Sequence, residues 1–148
     1  MSFRGSFDYS LDAKNRLTVP AAFRPTFADG LVLALETGAP SCVGIWTPEA
    51  YDDYVAQSLQ GMHKLAPKRK ELLRFFSANA FGAELDGAGR IMMPPRLVEK
   101  TGISREVTVN GAVDHVEVWS REAWTAYDAD LGAKVANLTE TFVSDAAS

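Results

Sequence analysis

The feature that most limits what this chain can fold into is an internal repeat. Leu11-Asp12-Ala13-Lys14-Asn15-Arg16-Leu17-Thr18-Val19-Pro20 returns as Leu85-Asp86-Gly87-Ala88-Gly89-Arg90-Ile91-Met92-Met93-Pro94. Each copy reads as strand, polar turn, strand, and a proline that opens a helix. Phe7 and Phe81 share the offset of 74 between the copies. Further along, Gly44-Ile45-Trp46-Thr47-Pro48-Glu49-Ala50-Tyr51 answers Glu117-Val118-Trp119-Ser120-Arg121-Glu122-Ala123-Trp124 at an offset of 73. A one-residue drift in the loop between them accounts for the change, since loops absorb insertions cheaply. The fold is therefore expected to be two versions of one unit.

Each unit reads as strand, turn, strand, short helix, strand, strand, with a longer helix added. The strands are expected at Ser6–Leu11, Arg16–Val19, Leu31–Leu35 and Cys42–Trp46, then at Phe81–Leu85, Arg90–Met93, Val107–Val109 and Val116–Trp119. Asn110-Gly111 is a strong tight-turn dipeptide between the last two. Pro20 and Pro94-Pro95 open the short helices, and Thr47-Pro48-Glu49 supplies a hydroxyl cap, a first-turn proline and an acid. Pro67 opens a connector helix carrying Leu72, Leu73, Phe75 and Phe76, so the connector packs. Beyond Gly132 the pattern weakens, and Asp145–Ser148 is expected to fray. The organisation expected is a first unit over 1–60, a connector over 61–79, a second unit over 80–131 and a tail over 132–148.

Four short strands and one turn of helix bury too little apolar surface to stand alone. Two such units can share a core if their hairpins interleave into one small barrel, giving an α+β fold. The apolar content of 47% is sufficient for that core.

Function is narrowed by what is missing. Nothing approaches the roughly 20 apolar residues of a membrane span, and Met1–Gly5 lacks the start of a secretory signal, so a cytoplasmic protein is expected. Cys42, alone, reads as a small buried hydrophobe. His63 and His115 have no metal-ligand spacing with it, and no phosphate loop or nucleophile elbow is present. Asp114-His115 reads as a turn acid beside a partly exposed histidine. No catalytic residue, metal or cofactor is expected. The net charge of −4 argues against nucleic acid taken alone, but the acids concentrate in residues 114–148 and mask a more basic remainder.

The two Asp-x-x-x-Arg units with their prolines, together with Met1–Gly5, the stretch Leu11–Arg24 and Gly111-Ala112-Val113-Asp114-His115-Val116-Glu117-Val118-Trp119, resemble the MraZ family of bacterial transcriptional regulators. The likeness covers roughly residues 3–128. It implies tandem AbrB-like swapped-hairpin units forming a pseudo-dimeric β-barrel with flanking helices. It also implies a ring homo-oligomer, usually of eight subunits, associated with the nucleoid. Such a ring would bind repeated boxes in double-stranded DNA upstream of the division and cell-wall gene cluster, usually as a repressor.

The residues are compatible with that expectation. A turn on a rigid strand base would place Lys14, Asn15 and Arg16 against DNA, arginine suiting guanine and lysine suiting phosphate. Repetition around a ring would add weak contacts through effective concentration. The second turn has Ala88 and Gly89 where the first has Lys14 and Asn15, which weakens the case for Arg90. Arg4 and Arg24 are further candidates to support the first site. Asp12 and Asp86 read as structural turn residues bracing Arg16 and Arg90, since carboxylates repel phosphate. Lys68, Arg69, Lys70 and Arg74 read as a solvated helix face. The competing expectation is a ring-forming scaffold for division or cell-wall proteins, with DNA secondary.

Overall fold

The computed structural model describes residues 2–147, with burial described through residue 144. Strands β1 (Ser6–Ser10) and β2 (Arg16–Thr18) flank the first turn, and a 3-10 helix (Ala21–Phe27), β3 (Leu31–Leu35), β4 (Val43–Trp46) and α1 (Pro48–Leu59) complete the first half. Helix α2 (Pro67–Ala78) connects to β5 (Ala80–Ala83), β6 (Arg90–Met92), α3 (Pro95–Thr101), β7 (Glu106–Gly111), β8 (Val116–Ser120) and α4 (Arg121–Ala147). Thr47 caps α1 by accepting from the Ala50 amide at 3.2 Å, and prolines occupy the first turns of α1, α2 and α3. Pro25 inside the first short helix holds it to 3-10 geometry, whereas α3, with Glu99 at the matching position, is α-helical.

Most strands take their partner from the other half. All the pairs are antiparallel: β1 with β7, β2 with β6, β3 with β5 and β4 with β8, and only the hairpins β3–β4 and β7–β8 pair within a half. The registers obey a pseudo-twofold. Leu17 faces Ile91, its own repeat partner, and Arg16↔Met92 exchanges with Thr18↔Arg90. On the larger sheet Gly44 faces Glu117, again its repeat partner, and Val43↔Val118 exchanges with Ile45↔Val116.

The interleaving of hairpins is thus present, in an α+β fold with two sheets. One has six strands in the order β1-β7-β8-β4-β3-β5, and the other is the ribbon β2-β6. No closed barrel is found among the described strands. Leu17 and Ile91 of the ribbon join Leu33, Ile45, Val109 and Val118 of the large sheet in one core. Among the described residues no helix is long and apolar enough to cross a membrane.

Three expectations are corrected. The offset does not drift by one residue in a single loop. Leu33 answers Val109 and Ile45 answers Val118, so the second half is longer after its short helix and shorter in its last hairpin loop, 112–115 against 36–42. Asn110-Gly111 does not form the turn. β7 runs through Gly111, and the chain reverses at Ala112–His115, closed by the Ala112 amide donating to the His115 carbonyl at 2.8 Å. The glycine has another use, because a Cβ there would collide with the backbone of Phe3 and Arg4, which crosses it. Asn110 meanwhile accepts from Ser6 Oγ at 2.5 Å. Finally, helix α4 does not weaken at Gly132 but continues to Ala147, taking in most of the segment expected to fray; Ser148 lies outside the described residues.

Candidate nucleic-acid interface

Each repeat turn is folded by its aspartate. Asp12 Oδ1 accepts from the amides of Lys14 and Arg16, both at 2.9 Å, while Oδ2 takes the Arg16 Nε at 2.7 Å. Asp86 repeats this, Oδ1 accepting from Ala88 and Arg90 amides and Oδ2 from Arg90 Nε, all at 2.9 Å. The amide bonds, Arg16 and Arg90 foremost, hold both carboxyls below the usual aspartate value. Asn15 sits at φ +57° and Gly89 at φ +75°, the left-handed region that Asn and Gly tolerate best. Each of their carbonyls crosses to the other half, Asn15 accepting from the Met93 amide and Gly89 from the Val19 amide, both at 2.9 Å.

The ribbon β2–β6 gives the turns a common base. Leu17 and Ile91 are buried beneath it. Strand alternation therefore directs Arg16, Thr18, Arg90 and Met92 to the opposite, outward face, where Met92 is 57% exposed. The two arginines are diagonal neighbours with Cα atoms about 7–8 Å apart. Both spend only Nε on their aspartates, and their terminal Nη atoms make no hydrogen bond to a described residue. Lys14 and Asn15 are exposed at the first turn, and the Lys14 side chain has no partner among the described residues.

The candidates do not all converge. Arg24 is half-buried; its Nε donates to the Val19 carbonyl at 2.9 Å, and its side chain lies against Gly89, where a Cβ would collide with it. It therefore holds the Val19 carbonyl of its own half and packs against the second turn. Arg4 lies beyond the other end of β1, where it crosses Gly111, so the strand separates it from the turn. The basic residues of α2 lie on a different element again, Lys68, Lys70 and Arg74 being exposed.

Both halves match the family model described as "MraZ protein, putative antitoxin-like", over residues 2–75 and again over 76–144. The chain belongs to the MraZ family. Among its relatives is the transcriptional regulator MraZ of Desulforamulus reducens, 32% identical over 141 residues, which span 95% of this chain and 97% of that one. The protein of the same name from Dehalococcoides mccartyi strain BAV1 is 37% identical over 82% of this chain and 84% of its own length. The one from Nocardioides sp. is 34% identical over 95% of both. The two MraZ repeats meet at the boundary inside α2, so the ribbon takes one strand from each.

A second cluster went unmarked in the sequence. Glu36, which follows β3, meets His115 at the β7–β8 turn and Glu117 on β8. His115 Nε2 stands 3.2 Å from Glu117 Oε2 and 3.6 Å from Glu36 Oε1, and Nδ1 stands 2.8 Å from Asp114 Oδ1. Burial foremost pushes the Glu36 carboxyl up. Burial by itself would lower the His115 imidazole, but the bonds to Glu117 and Asp114 leave it raised; the same His115 bond holds Glu117 down. About eighty residues separate Glu36 from the other two, so no local spacing announces the cluster.

Proposed function

We propose that this chain is a sequence-specific DNA-binding transcriptional regulator that reads double-stranded DNA with the outward face of the β2–β6 ribbon and its two turns. The observation that carries this reading is the ribbon itself. It holds Arg16 and Arg90 side by side on one exposed face, each pre-oriented by an aspartate, with Lys14 unpartnered beside them. A two-stranded ribbon is one of the shapes that fits the major groove. Arginines there suit guanine, and Lys14 suits phosphate. The relatives' name supports the reading, as does the placement of like arginines about the pseudo-twofold. In this reading Arg90 stands beside Arg16, while Arg24 is taken up by the Val19 carbonyl and Arg4 lies beyond the other end of β1. In the same reading, copies assemble into a ring, with eight the expected number, that repeats the ribbon along repeated boxes upstream of the division and cell-wall genes. Repression and nucleoid association belong to this reading, as does closure of the two sheets into a pseudo-dimeric barrel.

The test is fluorescence anisotropy on the upstream DNA of the protein's own gene, against a scrambled duplex, across a salt series. Arg16→Ala and Arg90→Ala should each weaken specific binding by about 1–3 kcal/mol per ribbon engaged. Lys14→Ala should weaken both duplexes alike and flatten the salt slope. Equal binding by wild type and all three variants would remove the ribbon from the interface.

One observation favours the scaffold as a second reading. Along α4, Leu131, Val135, Leu138 and Phe142 recur at spacings of four, three and four, and the last three are more than half exposed. That is a seam of coiled-coil type awaiting a partner. A ring whose DNA binding is negligible at moderate salt, yet which loses a division-protein partner on Leu138→Glu, would favour this second reading.

A further inference from the structure

We propose that Glu36, His115 and Glu117 form a binding site for a divalent transition-metal ion, with Zn2+ the best fit, independent of the DNA-facing ribbon. The ligand atoms lie within 4.8 Å of one another. Metal–ligand bonds of 2.0–2.2 Å in a tetrahedron put ligand atoms about 3.3 Å apart. The two separations from His115 Nε2, 3.2 and 3.6 Å, bracket that edge. One imidazole and two carboxylates are a donor set suited to Zn2+ and its first-row neighbours.

The surroundings hold each donor in place. Asp114 Oδ1 stands 2.8 Å from His115 Nδ1, and with a proton held between them the Nε2 lone pair would face the two glutamates, as outer carboxylates arrange it in histidine metal sites. Trp46 lies flat on the imidazole, 4.1 Å between centroids and 4° from parallel, and fixes its plane. The same indole donates to Glu36 Oε1 at 2.9 Å, and Trp119 donates to Glu117 Oε1 at 3.1 Å, leaving Glu117 Oε2 toward the histidine. Gly44 makes the room, because a Cβ there would run into the Glu36 carboxylate. A cavity of about 410 Å³ beside the cluster is lined in part by Glu36, Glu117, Trp119 and Tyr127.

The charges favour a cation. With Nε2 unprotonated, it and the two glutamate carboxylates would set three acceptors together, and Asp114 adds a third carboxylate. No Lys or Arg among the described residues lies within 4.0 Å of any of them. The side chains of His115 and Glu36 are only 14% and 12% exposed, so water screens them poorly. A second proton on His115 is the rival occupant, and it neutralises one of three negative charges. A divalent ion neutralises two.

The full-length protein, stripped with a chelator, is titrated with Co2+ by absorption and then with Zn2+ in competition. One Co2+ per chain, with visible bands that Zn2+ displaces, is the expected result. Glu36→Gln, Glu117→Gln and His115→Gln should each weaken binding at least tenfold, and Asp114→Ala by about 10–100-fold. His63→Gln, which alters the one other histidine, should bind as wild type. A hundredfold excess of Zn2+ over its Kd should raise the wild-type Tm by about 5–10 °C and leave the Tm of folded His115→Gln unchanged. No stoichiometric Co2+ uptake at 100 µM metal (about a hundred times a micromolar Kd), or equal uptake by the ligand variants, would overturn the site and leave an imidazolium there.

Discussion

Asp12 and Asp86 each turn the chain, hold an arginine and accept two amides, and so link turn stability to pH. Their folded values are lowered below the ordinary aspartate value of 3.8, first by the amide bonds to Arg16 and Arg90. The stabilisation is therefore present above that ordinary value and is lost as pH falls through the lower folded values. Wild-type Tm should fall as pH drops below about 4, and Asp12→Asn/Asp86→Asn should show a shallower fall there. Thermal melts at half-unit steps measure it; parallel curves would mean the two carboxylates carry no linkage. This brace was legible in the sequence, because an aspartate four residues before an arginine across a polar turn has little else to bond. The Glu36–His115–Glu117 cluster was not, because it exists only once β4 pairs with β8 and brings the two hairpin ends together. Cys42 was read correctly as buried, and burial pushes its thiol far up.

At the scale of the element, two glycines show how context sets the sign of one substitution. Gly111 lies under the crossing N-terminal segment, whose Phe3 stacks on Phe27 at 5.3 Å and meets Phe23 edge-on at 5.2 Å. Gly111→Ala should overpack that crossing and destabilise by about 1–3 kcal/mol. Gly132 stands in open space inside α4, so Gly132→Ala should stabilise by about 0.5–1 kcal/mol. Urea unfolding of both variants reads the pair as midpoint shifts of opposite sign at constant m. Strands and helices were legible where alternation, caps and prolines agreed, as at Ser6–Ser10 and Pro48–Leu59. Asn110-Gly111 misled because local turn preference yielded to a tertiary crossing. The length of α4 was hidden because Val135, Leu138, Phe142 and Val143 face outward, so no buried stripe marks them.

At the scale of the molecule, the halves complete one another. In the first half only β3 and β4 pair with each other, while β1, β2 and the outer edges of β3 and β4 are satisfied by the second. A fragment ending at residue 60 should be largely unstructured by circular dichroism at micromolar concentration. Mixed with a fragment starting at 61, it should regain the sheet signal, as an intermolecular complex of the two. A folded monomeric 1–60 fragment would contradict the shared core. The repeat made this interdependence legible, since neither copy carries enough apolar surface, but only registers such as Leu17↔Ile91 fix which strand meets which.

Fusing the two copies has one more effect. A homodimer must present identical turns and so favours targets that read the same from both directions. Here one turn bears Lys14-Asn15 and the other Ala88-Gly89 on the same frame. The molecule has a heavy and a light end, so it has a compass: on an asymmetric target it would seat in one orientation, and successive copies would all face the same way.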